Sequence, residues 1–70
     1  VGGEVARIVD ELEEGIGRVK GTLKEFERLE ERFRRGFMSK GEFRGKLRGL
    51  EDEVRRELDR LYRLAEELRG

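Results

Sequence analysis

Few side chains in this chain could do covalent chemistry. Its 70 residues include one serine, Ser39, one threonine, Thr22, one tyrosine, Tyr62, and no histidine or cysteine. A hydroxyl or thiol nucleophile needs a neighbouring base, most often an imidazole. Neither a Ser-His-Asp nor a Cys-His arrangement can form within one copy. What the chain has in abundance is charge: 17 Asp and Glu, 17 Lys and Arg, and a formal net of zero. Carboxylates can hold Mg²⁺ or Ca²⁺, but here they alternate with arginine along solvent faces. The sequence therefore points to no catalytic, cofactor-binding or metal-binding residue, and no enzyme is expected.

A second kind of chemistry is phosphate binding. Eight cations, Arg28, Arg32, Arg34, Arg35, Lys40, Arg44, Lys46 and Arg48, outnumber the three anions Glu30, Glu31 and Glu42 in the same stretch. Such a cluster, carrying Phe37 and Met38, could grip nucleic acid, because each neutralised phosphate releases counterions. The plainer reading is a solvated helix end whose arginines complement the helix C-terminus. An overall charge of zero favours the plainer one. The stretch from Val1 to Gly17 has the opposite sign, with Arg7 against Glu4, Asp10, Glu11, Glu13 and Glu14.

The elements that position these groups follow from periodicity. Val5, Val9, Leu12, Ile16, Val19, Leu23, Phe26, Glu30 and Phe33 form one row at alternating steps of four and three. Phe43, Leu47, Leu50, Val54, Glu57, Leu61, Leu64 and Leu68 form another. This is the 3.5-residue repeat of helices that wrap around each other. A helix is expected over about 4–35, a turn at 36–39, and a second helix over about 40–68. Gly15, Gly17 and Gly21 each cost about 1 kcal/mol relative to Ala in a helix interior. The heptad phase nevertheless passes through them without a slip, so one continuous helix is favoured over a three-helix bundle that turns there. Acid-first pairs such as Glu14–Arg18, Glu30–Arg34, Glu31–Arg35, Glu51–Arg55 and Asp59–Arg63 add helical support.

The turn carries its own signals. Gly36 can take the left-handed conformation that ends a helix. Ser39 and Glu42 have the spacing of a capping box, with Met38 and Phe43 placed as a hydrophobic staple. Together with Leu23, Phe26, Leu29 and Leu50, the residues Gly36, Met38, Ser39, Glu42 and Phe43 resemble the pattern of the SHOCT family of short helical domains. The resemblance covers about residues 23–50, and Leu47 stands where that family usually has Lys. It implies an oligomerisation or accessory segment and no catalytic residues.

A chain this small buries only about 60% of its unfolded surface, and it has no disulfide or zinc ligands to compensate. Docking on a partner is the remaining route to stability. Ile8, Leu29, Leu58, Tyr62 and Ala65 flank the two rows and widen the apolar surface. Gly41, Gly45 and Gly49 stand four apart, a spacing that lets another helix approach closely. Glu30 and Glu57, at seam positions, are expected to reach outward to a nearby arginine. We therefore expect an all-α antiparallel two-helix hairpin, a coiled coil about 45–50 Å long at 1.5 Å per residue, dimerising into a four-helix bundle. Pairs such as Leu12–Leu61 and Phe26–Leu47 are expected across the seam. The opposite charges of the two ends favour a dimer with its tips at opposite ends.

The expected function is a structural or assembly module mediating homo-oligomerisation or protein–protein interaction. The alternative is nucleic-acid binding through the arginine-rich tip. No apolar run exceeds two residues, so no membrane span is expected, and without a secretory segment a cytoplasmic location is. Abundant ion pairs without Asn, Gln or Cys resemble a thermophile composition.

Overall fold

A computed structural model describes residues 2–70; Val1 lies outside the described residues. Two α-helices, α1 (Gly2–Arg34) and α2 (Lys40–Arg69), pack against each other, and the described residues contain no strand. The assembly of the two is 54 Å long and only 15 by 10 Å across. No helix among the described residues is long and apolar enough to cross a membrane. The glycines do not break α1, which runs unbroken through Gly15, Gly17 and Gly21.

The turn is closed by backbone geometry at both helix ends. Gly36 has φ +81°, the left-handed region where a Cβ would be strained. The Phe37 amide donates to the Arg32 carbonyl and the Gly36 amide to that of Phe33, both at 3.0 Å. That pair of bonds is the Schellman pattern, which satisfies carbonyls left open at a helix end. At the start of α2 the Glu42 amide donates to Ser39 Oγ at 3.1 Å. The other arm of the box differs from expectation, because the Glu42 carboxylate meets the Ser39 hydroxyl at 3.4 Å. Phe43 stacks on Phe33, with ring centroids 4.3 Å apart and planes 11° from parallel. This contact anchors the end of the seam nearest the turn.

On α2 the seam uses the row read from the sequence, from Phe43 through Leu47, Leu50, Val54, Glu57 and Leu61 to the buried Leu64. On α1 the row is divided. Leu12, Val19 and Phe33 are half-buried, and the layers between them come from Ile8, Gly15, Thr22 and Leu29. Val9, Ile16 and Leu23, expected in those layers, are 40%, 47% and 53% exposed. The row is thus rotated by one residue at every second layer. The reason is steric: Gly15 is buried, and a Cβ there would lie 2.5 Å from Leu61 Cδ2 and 2.9 Å from Glu57 Oε1. The small residue leaves room for the Leu61 and Glu57 side chains where a larger one would displace them.

Two further expectations are corrected. Ile8 and Leu29 do not widen the outer surface, being only 3% and 8% exposed inside the seam. The register also differs: Leu61 faces Gly15 in place of Leu12, and Phe43 faces Phe33. The displacement is three residues, less than a heptad.

Candidate interaction site

The rotation of the seam leaves the larger apolar side chains of α1 outside it. Val9, Ile16 and Leu23 stand seven residues apart on one face, beside Phe26, which is 38% exposed. α2 contributes Leu58 at 40%. Between the helices on this face runs an open groove of about 820 Å³ whose apolar lining is Leu23, Phe26, Leu47, Leu50, Val54 and Leu58. Arg44, Arg48, Glu51 and Arg55 rim it on the α2 side. Val5 and Leu68, 50% and 41% exposed, lie near the free ends of the helices. Tyr62 is largely exposed and Ala65 half-buried.

The opposite face is polar. Arg18, Gly21, Thr22, Glu25, Glu53, Arg56 and Glu57 line a smaller groove there. Its organising contact is an ion pair between the helices, Arg18 Nη2 to Glu57 Oε1 at 2.9 Å. The hydrogen bond from Arg18 holds the Glu57 carboxyl below the usual carboxylate range and raises the guanidinium in turn. Glu57 is thereby accommodated at a seam position, its side chain 17% exposed and its charge met by the other helix. Arg18 makes this contact in place of the expected one to Glu14. Arg63 likewise donates to the Asp59 carbonyl and not to its carboxylate.

The cations of the tip do not converge. Arg34 and Arg35 pair with Glu30 and Glu31 at 2.9 and 2.8 Å. Arg44 and Arg48 rim the apolar groove, whereas Arg28, Arg32 and Lys46 line a groove with Gly49 and Glu53. Lys40 lies in the first turn of α2. A phosphate backbone would thus meet two separate sets of side chains. Gly45 and Gly49 have nothing within 4 Å of an added Cβ, and Gly41 only the Ser39 hydroxyl at 3.9 Å. The spacing of these three glycines serves no close helix contact within the chain. No group of three or more acidic side chains among the described residues is placed to hold a metal ion.

Sequence reasoning missed Gly15, treating it only as a weak point of α1. A usable signal was its position seven residues from Ile8 and Thr22, which makes a complete heptad row with Leu29. No family model, curated protein or solved structure matches the chain.

Proposed function

We propose that this chain is an assembly module: an antiparallel two-helix hairpin that associates with a second copy through its open apolar face to form a four-helix bundle. The observation that carries this reading is the row Val9, Ile16, Leu23 with Phe26 and Leu58, large apolar side chains left exposed on one face. Exposed apolar patches rimmed by polar residues are characteristic of interaction sites. The surface area supports the same reading. A compact monomer of 8.2 kDa exposes about 4,500 Å², and this chain exposes 5755 Å². The excess exceeds the roughly 800 Å² that each partner contributes to a standard interface. Such an assembly role is also what the SHOCT-like turn implies.

The assembly requires no chemistry beyond burial of apolar surface, with the charged rim keeping the second copy in register. The face is tested by the double substitution Ile16→Asp and Leu23→Asp, followed by sedimentation equilibrium. Two charges on the face are expected to abolish association, and persistence of the parent oligomer would contradict the reading. Adding duplex or single-stranded DNA to the parent chain tests the competing function. A monomer that binds it, with affinity falling steeply as salt rises, would replace the assembly role with a nucleic-acid one.

A further inference from the structure

Given the assembly reading, we infer that the second copy docks with its turn at the same end as the first, so that α1 of each copy lies across α2 of the other. The contacts of Gly15 with Leu61 and of Phe33 with Phe43 fix which residues stand level on the two helices. On that scale Val9 stands level with Ala65, Ile16 with Leu58, Leu23 with Glu51, and Glu30 with Arg44, each to within a turn. On each helix these residues recur at seven-residue steps. The groove lining places Leu23, Arg44, Glu51 and Leu58 on the same face.

A two-fold axis parallel to the helices brings level residues of α1 and α2 face to face between copies. Val9 and Ile16 then meet Ala65 and Leu58, apolar on apolar, and Glu30 meets Arg44, acid on base; Leu23 beside Glu51 is the one mixed pair of the four. The self-complementarity of the two rows is the argument for a second copy of this chain as the occupant.

With tips at opposite ends the match is poorer. α1 would lie on α1 and α2 on α2: the offset that brings Leu58 toward the charged Arg55 and Arg44 toward Arg69 sets Ile16 on Leu23 but Val9 on Glu30, so only one kind of pair is apolar on both sides. The net charges of the two ends favour that order, but only through exposed groups. Such charges are screened beyond about 8 Å at physiological salt, whereas apolar burial is not.

The chain has no cysteine, so Phe37→Cys gives one labelling site at the turn, where the side chain is 66% exposed. Glu67→Cys gives another, exposed and near the free end. Each variant is spin-labelled singly, its mass is taken by light scattering, and the distance between labels is read by pulsed dipolar spectroscopy. The expected result is a dimer in which both variants give distances far below the 54 Å length of the molecule. A dimer in which both distances approach that length overturns the same-end order and leaves the assembly reading intact. A monomeric mass with helical circular dichroism overturns both.

Discussion

At Glu57 a charge sits in an otherwise apolar row, and its tolerance depends on Arg18 reaching across from the other helix at 2.9 Å. Because the folded carboxyl titrates below its ordinary value, the folded state releases the proton more readily. The resulting stabilisation is complete above about pH 4.3, the unfolded value of Glu, and is lost as pH falls through the lowered folded value. Glu57→Gln is therefore expected to melt below the parent at pH 7, with the two melting temperatures converging toward pH 2. A constant gap across that range would mean that the pair contributes nothing to acid sensitivity. The glycines divide in the same residue-by-residue way. Gly17 and Gly21 have nothing within 4 Å of an added Cβ, so Ala at either is expected to stabilise by about 1 kcal/mol. Gly15→Ala gains the same propensity but drives a methyl into Leu61 and Glu57, and is expected to destabilise. Urea melts of the three variants check the contrast. Gly15 was illegible in its role because propensity reports only the cost of glycine in a helix. The gain lies on the neighbouring helix, which local sequence does not specify.

At the scale of the elements, the two long helices and their boundary were legible. The reason lies in the residues around the turn, where Gly36, Ser39 and Glu42 act through local backbone bonds that short-range sequence determines. Ser39→Ala removes the acceptor for the Glu42 amide and is expected to cost about 1 kcal/mol. The orientation of α1 was less legible. Its apolar positions span more than one seam needs, and Ile8 and Val9, or Leu29 and Glu30, compete for the same layer. The choice is made by what fits against α2, where Gly15 leaves the Leu61 and Glu57 side chains room that Ile16 would fill. Two substitutions of the same residue type separate the two sides. Leu64→Ala, at a side chain 7% exposed, is expected to destabilise by about 2–5 kcal/mol. Leu23→Ala, at 53%, is expected to weaken association far more than it lowers the stability of the isolated pair of helices. Denaturant melts run at several protein concentrations distinguish these effects, since only loss of association makes the midpoint less dependent on concentration. Equal losses in both variants would place Leu23 in the seam.

The whole molecule is long and thin, with a radius of gyration of 16.1 Å against about 11 Å for a compact chain of this length. Among the described residues, Ile8, Leu29 and Leu64 form its buried apolar core. A core of that size supplies little stability by itself, and the open face is where more burial can be gained. Length and composition raise the expectation of a partner, because 70 residues without disulfide or metal ligands seldom suffice alone. The face itself is legible only in part: Leu58 lies on it as expected, whereas Ile8 and Leu29 are buried in the seam and Val9, Ile16 and Leu23 are exposed. The arginine-rich tip illustrates the same limit: its cations cluster in sequence, but the helices turn them to different sides. The proposed assembly role rests on the open face being covered by a second copy. The direct test is sedimentation equilibrium of the unmodified chain across a wide range of concentrations in moderate and high salt. The expected result is a dimer of twice the 8.2 kDa chain mass that persists in high salt, because apolar burial drives it. A folded monomer at every concentration would contradict the account.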